Sequence, residues 1–190
     1  MDFFIGYTAR MAKVGRRIVV YGPTGSGKTT VASRLARSLG LPHIELDALF
    51  WTPNWVGRPW EEFRAEVSAA LDRCPDGWVI DGNYHRVRDL TLPLADTVVW
   101  LRLPLWVAFR WLWKRTISRA WKRELLWGTN RESWRLIFLS RDSLLLYQLT
   151  HWRRTHERTR QDLEQVHHKA TVIELHSVAE IENFLTSLDH

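Results

Sequence analysis

Residues 22–30 have the sequence GPTGSGKTT, in which three glycines within six positions precede a lysine and two hydroxyl side chains. The segment lies between a β-branched run at 16–21 and a helix-forming run that ends before Gly40. Glycines let successive backbone N–H groups point at one anion, and the positive end of the helix dipole adds to that attraction. In this context the pattern G-x-x-x-x-G-K-[ST] predicts a loop that binds nucleotide phosphates, with a ligand-free glycine turn as the alternative.

The motif assigns candidate roles to individual residues. Lys28 is expected to reach the β- and γ-phosphates of ATP, and the Thr29 hydroxyl is expected to ligate magnesium. The predicted nucleotide contacts are Gly22, Thr24, Gly25, Ser26, Gly27, Lys28, Thr29 and Thr30.

Short apolar runs alternate with longer segments of helical periodicity along the chain. The predicted strands are 16–21, 43–46, 78–80, 97–101 and 171–175, and the predicted helices are 28–39, 59–71, 104–122, 131–166 and 179–188. This alternation predicts an α/β fold in which helices cover both faces of a five-stranded parallel sheet. We expect one domain over 16–190 with a lid-like helical excursion at about 114–165, and a poorly tied extension at 1–15 in which Met11 is a second candidate start.

Composition narrows the class of protein. An apolar content of 45% excludes disorder, and one cysteine excludes a disulfide framework. The net charge of +6 favours an anionic partner, which nucleotide phosphates, nucleic acid or a membrane surface would satisfy. The N-terminal residues lack a secretory pattern, and the apolar stretch 97–113 is interrupted by Arg102, Pro104 and Arg110, so we expect a cytoplasmic protein without a membrane span.

Four segments carry a family resemblance. GPTGSGKTT, LPHIELDALFW, WVIDGNYHR and ADTVVWLRLP resemble the adenylate kinase and shikimate kinase branch of P-loop proteins. Through LDALFW, DGNY and ELLWGTNRES, the chain more narrowly resembles small bacterial adenylate-kinase-like or DNA-topology-modulation proteins. The resemblance covers about 16–188 and implies a three-layer P-loop NTPase fold, a kinase activity, and ATP and Mg²⁺ as cofactors.

The resemblance also implies a role for Asp81, since the family's aspartate at this position orients magnesium-bound water. Asp81 capping the turn at Gly82 is the alternative. After the glycine, nucleoside monophosphate kinases carry Phe-Pro-Arg, whereas this chain has NYHR at 83–86. The arginine that would grip an acceptor phosphate is therefore displaced or lost, which argues against a nucleoside monophosphate acceptor.

Asp47 follows the second predicted strand, where shikimate and gluconate kinase relatives place an aspartate against the acceptor hydroxyl. By resemblance, Asp47 would hold the acceptor or take its proton, and turn capping is the alternative. Asn83 is a further acceptor candidate, and Trp51, Trp55 and Tyr84 either wall the acceptor pocket or pack in the core.

Arginines follow one face of the helix predicted at 104–122. Arg115, Arg119 and Arg123 are four residues apart, so their like charges repel unless a polyanion lies opposite them, and a solvated basic face is the alternative. The resemblance implies that Arg115 stacks on adenine, that Arg119 neutralises the transferring phosphoryl group, and that Arg123 and Arg131 contact the acceptor. A second basic run at 153–160 either completes the lid or solvates its helix. Seven of the twelve tryptophans lie at 106–152, which suggests a packed lid.

Three functions fit these patterns. An ATP-dependent kinase acting on a small molecule or nucleotide accounts for the P-loop, Asp47, Asp81 and the arginine row together. A nucleic-acid-associated protein regulated by ATP would use the interleaved Arg and Trp of 106–135. An NTPase that transfers phosphate only to water is the third possibility. Neither the acceptor nor the oligomeric state can be derived from these patterns.

Overall fold

A parallel sheet forms the middle layer of the protein. The computed structural model describes residues 5–6, 14–122, 125–126, 130–131, 144–166 and 169–188. The strands are β1 Ile5–Gly6, β2 Arg17–Tyr21, β3 His43–Glu45, β4 Trp51–Thr52, β5 Val56–Gly57, β6 Trp78–Asp81, β7 Thr97–Leu101, β8 Leu125–Leu126, β9 Asn130–Arg131 and β10 Thr171–Leu175. The helices are α1 Lys28–Leu39, α2 Leu46–Phe50, α3 Trp60–Asp72, α4 Arg88–Thr91, α5 Leu105–Lys122, α6 Leu144–Val166 and α7 Val178–Thr186.

The five predicted strands form this sheet in the order β3-β6-β2-β7-β10, and all neighbours are parallel. The predicted five-stranded parallel α/β fold is thus confirmed. The pair Ile5–Gly6 adds a short edge strand beside β10, so part of the predicted N-terminal extension pairs with the sheet. Because β2 is central, the loop that follows it opens onto the carboxyl edge of the sheet, with β6 and β7 on either side.

Alternate side chains of each strand enter two separate cores. On one face, Tyr21, Ile80 and Trp100 pack with Phe63 of α3 and Leu163 of α6. The other face carries Val20, Val79 and Val99, which pack with helices α1, α5 and α7. Buried apolar area on both faces stabilises the sheet and fixes the register of its strands, because a slip of one residue would exchange the two faces.

Three details differ from the predicted elements. The second strand ends at Glu45 and not at 46, so Asp47 lies in the first turn of α2. The second long helix does not begin at Arg131, because Arg131 pairs with Leu125 in a small antiparallel hairpin, and helix is described only from Leu144. The segment 51–57, predicted as a loop, contains the β4–β5 hairpin and a helical turn, and the segment 85–94, for which no element was predicted, contains short helical turns.

The tryptophans of α5 do not all pack. Trp106, Trp113 and Trp121 are 68%, 39% and 81% exposed, whereas Trp111 contacts the core beside the phosphate-binding loop. Trp106 and Trp113 are seven residues apart and share the outer face of the helix. The expectation that the tryptophans of this region pack a lid is therefore wrong for Trp106 and Trp121, whereas Trp113 stacks on Phe109 with 6.5 Å between ring centroids. Among the described residues, no helix combines the length and hydropathy needed to cross a bilayer.

Candidate functional site

The loop at 22–27 joins β2 to α1 and has the conformation that its glycines predict. Gly25 and Gly27 have φ of 78° and 83°, in the left-handed region that favours glycine. A Cβ at Gly25 would lie 2.7 Å from the carbonyl oxygen of Ala108, so α5 also requires glycine there. The side chain of Ser26 is buried in this loop, and its hydroxyl has no hydrogen-bond partner among the described residues. The loop thus leaves a polar group for a ligand.

Lys28 begins α1, and its side chain folds back over the loop. Its Nζ donates a hydrogen bond to the carbonyl oxygen of Pro23 at 2.9 Å. Burial lowers the pKa of Lys28 to about 8, against the opposing influence of the Asp81 and Asp47 carboxylates, and Arg115 lowers it further. The charges of Asp81, Asp47 and Arg115 therefore all act on Lys28.

Asp81 is the last residue of β6, and its carboxylate is 3% exposed. The Thr29 hydroxyl donates to its Oδ2 at 2.7 Å, and Nε2 of His43 lies 2.9 Å from its Oδ1. The structure thus brings together the two predicted metal-site residues, Thr29 and Asp81. His43, in the neighbouring strand β3, was not predicted, because its proximity to Asp81 depends on strand register.

Asp47 is paired with Tyr84. The Tyr84 hydroxyl donates to Asp47 Oδ1 at 2.6 Å. Burial and the negative charge of Asp47 raise the pKa of Tyr84, so the hydroxyl keeps its proton and remains the donor. The Tyr84 ring centre lies 4.9 Å from that of Phe50 and 5.0 Å from that of Phe63. Tyr84 thus belongs to both the core and the site, which the sequence had left as alternatives.

Asn83 links the end of β6 to the phosphate-binding loop. Its Nδ2 donates to the carbonyl oxygen of Gly22 at 2.6 Å. Its Oδ1 is buried and has no hydrogen bond among the described residues. The next residue in the chain, Tyr84, turns toward Asp47, so the DGNY segment contacts both the loop and α2.

A second unpredicted residue, Asn130, connects the β8–β9 hairpin to the segment that follows α2. Its Oδ1 accepts from the Trp55 backbone N–H at 2.8 Å, and its Nδ2 donates to the Thr52 carbonyl oxygen at 3.1 Å. Asn54 and Trp55 have φ of 63° and 59°, which is costly for residues other than glycine. Asn130 is 1% exposed and helps hold this conformation. The Trp51 and Trp55 rings also contact each other edge to face, with 5.6 Å between centroids.

The remaining predicted residues are placed unequally. Thr24 faces a cleft beside the loop, and Thr30 is an exposed residue of α1. Arg119 lies in α5 and Arg131 in β9, but their side chains are outside the described part of the structure. Arg123 falls wholly outside the described residues.

Arg88 was also missed by the sequence interpretation. It is 8% exposed, its guanidinium lies 4.8 Å from the centre of the Tyr21 ring, and it forms an ion pair with Asp162 of α6. Its neighbours in the sequence, Val87 and Asp89, gave no signal for this role. Through its contacts with Tyr21 and Asp162, Arg88 holds α6 against the sheet beside the phosphate-binding loop.

Comparisons with known proteins agree with this geometry. Residues 18–75 match the profile of the ATPase family associated with various cellular activities (AAA), a region that contains the phosphate-binding loop. A shikimate kinase from Halorhodospira halophila is 38% identical over 103 residues, which are 47% of this chain and 58% of that protein. An adenylate kinase from Chlamydia caviae is 33% identical over 99 residues, which are 43% of this chain and 46% of that protein. The chain thus spans about half the length of these curated relatives.

The fold similarity extends further than the sequence similarity. The crystal structure of a gluconokinase from Sinorhizobium meliloti 1021 matches with a TM-score of 0.55 at 20% identity, over 92% of this chain and 89% of that chain. The narrower resemblance to DNA-topology-modulation proteins stays a prediction. The chain is similar in sequence to shikimate and adenylate kinases over about half of its length, and similar in fold to a gluconokinase.

Proposed function

We propose that the protein is an ATP-dependent phosphotransferase that moves the γ-phosphoryl group of ATP to a hydroxyl of a small acceptor. The observation that carries the proposal is that Lys28 interacts electrostatically with two carboxylates, which have different hydrogen-bond partners. Asp81 is bonded to Thr29 and His43, and Asp47 is bonded to Tyr84. Kinases that phosphorylate a hydroxyl use one carboxylate at the metal and can use another to accept the proton of the nucleophile, and we assign these two roles to Asp81 and Asp47.

The residues of the loop fit a nucleotide. The unpartnered Ser26 hydroxyl, the positive φ angles of Gly25 and Gly27, and the Lys28 ammonium offer polar groups for phosphate oxygens. Thr29 and Asp81 would hold Mg²⁺, Thr29 through its hydroxyl and Asp81 through the waters of the ion. When bound, Mg²⁺ neutralises negative charge on the phosphates. Thr24 and Thr30 complete the proposed nucleotide contacts, with Arg115 against the base.

Asp47 is the proposed general base. Tyr84 engages Oδ1, and Oδ2 has no hydrogen bond among the described residues, so this oxygen is available to an acceptor hydroxyl. Tyr84 fixes the direction in which the carboxylate points. Trp51 and Asn83 are the proposed acceptor contacts beside it, and Arg119, Arg123 and Arg131 are proposed to contribute positive charge from the lid.

The nature of the acceptor follows from the same segment. Asn83 Nδ2 donates to Gly22 and the Tyr84 hydroxyl donates to Asp47. The group left for an acceptor molecule in this segment is Asn83 Oδ1, at the place where monophosphate kinases carry an arginine. One of the sequence relatives is named for shikimate, which is a hydroxylated small molecule. We therefore favour a hydroxylated metabolite over a nucleoside monophosphate.

The test is a transfer assay with γ-labelled ATP and a panel of hydroxylated metabolites and nucleotides. The proposal expects a labelled product in at least one reaction, at a rate well above that of Lys28→Ala. Label found only in inorganic phosphate, at a rate that no acceptor changes, would identify an NTPase instead. Tight, salt-dependent binding of nucleic acid without transfer would favour the regulatory alternative.

A further inference from the structure

A cavity of about 340 Å³ opens between the phosphate-binding loop and helix α6. Pro23 and Thr24 of the loop line one wall and Asn83 the next, so the cavity is continuous with the site described above. Its far wall comes from His85, Arg88 and the α6 face that carries Arg158. The volume suits a metabolite of small size.

The charges of this cavity are unbalanced. Arg88 and Arg158 face one acidic residue, Asp162, and the Asp162 carboxylate is already paired with Arg88. Arg158 has neither a hydrogen bond nor an ion pair with any residue that the structure describes. Partial burial is the main cause that lowers the pKa of His85, and the positive charges of Arg158 and Arg88 lower it further. An excess of positive charge therefore remains in the cavity.

The other lining groups are mainly polar. Thr155 and Gln161 flank Arg158 on α6, and Trp152 and Pro23 are the apolar exceptions among the described lining residues. Positions 155, 158 and 162 share one face of the helix because they are three and four residues apart. A ligand in this cavity would thus be recognised by charge and hydrogen bonds and only secondarily by apolar contact.

We infer that this cavity is an anion-binding subsite, in which Arg158 and His85 hold a carboxylate or phosphate group of the acceptor while its hydroxyl lies toward Asp47. The inference rests on the proposed function, because it assigns the cavity to the acceptor of that reaction. It adds that the acceptor is a hydroxylated anion and not a neutral polyol. The basic run at 153–160 then has two roles, since Arg158 faces the cavity whereas Arg160 pairs with Glu164 on the solvent side.

The experiment is calorimetric titration of the protein saturated with Mg²⁺ and a non-hydrolysable ATP analogue, so that the phosphate-binding loop is blocked. The probes are gluconate, a hexose phosphate and the neutral hexose, which share a hydroxylated chain and differ in the charged group. Arg158→Gln removes the unpaired charge, and Arg160→Gln is the matched control on the same helix.

At least one anionic probe should bind, more tightly than the neutral hexose, and Arg158→Gln should weaken that binding about tenfold or more while Arg160→Gln leaves it unchanged. A comparison of the affinities for gluconate and for the hexose phosphate shows whether the subsite prefers a carboxylate or a phosphate group. Equal binding of the neutral hexose, or no anion binding that depends on Arg158, would overturn the inference. Arg158-dependent anion binding without transfer from ATP would reject the proposed function alone, and transfer to a neutral acceptor would reject this subsite alone.

Discussion

The Thr29 hydroxyl donates a hydrogen bond to Asp81 Oδ2 at 2.7 Å, which joins the start of α1 to the end of β6. The two residues are adjacent because β2 and β6 are parallel neighbours, so their carboxyl ends meet at one edge of the sheet. His43, in β3, makes a second hydrogen bond with this carboxylate, through its other oxygen, Oδ1. Side chains from α1, β6 and β3 thus meet at the Asp81 carboxylate.

Replacing Thr29 with valine should abolish most of the effect of magnesium on nucleotide binding. The change keeps the shape of the side chain and removes the hydroxyl, so the gain in affinity on adding Mg²⁺ should fall about tenfold, and Thr29→Ser should retain it. Calorimetric titration of a non-hydrolysable ATP analogue with and without Mg²⁺ measures this. Wild-type magnesium dependence in Thr29→Val would show that the hydroxyl is not a ligand.

Nucleotide affinity should fall as pH rises above about 8. Burial lowers the pKa of Lys28 to about 8, and a bound phosphate would raise it again, so above pH 8 the free protein must take up a proton to bind. Below pH 8 the affinity should be level, and above it the affinity should fall by up to about tenfold per pH unit. Titrations with magnesium-free nucleotide, with Lys28→Arg as the control, test this. The same decline in Lys28→Arg would assign the titration to another group.

Tyr84→Phe should lower transfer activity and leave the aromatic core intact. The phenyl ring keeps its contacts with Phe50 and Phe63, but Asp47 loses its donor. A hydrogen bond to a charged group contributes about 1.5–3 kcal/mol, so kcat should fall about tenfold or more and Tm should fall by several degrees without loss of the folded state. Asp47→Asn should reduce kcat by about 10²-fold or more, because it removes the base itself. Equal kcat in Tyr84→Phe and wild type would remove Tyr84 from the mechanism.

Asn130→Ala should loosen the segment 51–57. The substitution leaves the Trp55 N–H without its acceptor, at a cost of about 1–3 kcal/mol, while Asn54 and Trp55 keep their unfavourable φ angles. Hydrogen exchange at 51–57 should accelerate. Asn54→Gly should not destabilise the protein, because glycine adopts a positive φ without steric cost. Unchanged exchange in Asn130→Ala would mean that other contacts hold the segment.

The parts of this molecule that depend on local pattern were predictable. Gly25 and Gly27 need positive φ wherever this loop forms, and the apolar strand β7 is identifiable without its neighbours. The parts that depend on distant contacts were not. His43 contacts Asp81 because of strand register, and Asn130 contacts Trp55 across 75 positions. No sequence rule predicts either pair.

Residues with two plausible environments form an intermediate case. Tyr84 and Asp47 were both candidates for the acceptor site, but the hydrogen bond between them follows only from the packing of α2 against the end of β6. Asn54 and Trp55 have left-handed φ angles, which asparagine adopts more readily than tryptophan, so the conformation at Trp55 was not predictable from its residue type.

The most direct measurement of the central claim is the partition of the γ-phosphoryl group between acceptor and water in wild type, Asp47→Asn and Lys28→Ala. We expect wild type to deliver label to a hydroxylated acceptor. Asp47→Asn should lose this transfer while still binding the ATP analogue, and Lys28→Ala should lose transfer through weakened nucleotide binding. Label that passes only to water in wild type, at the same rate with every acceptor and in Asp47→Asn, would contradict the account.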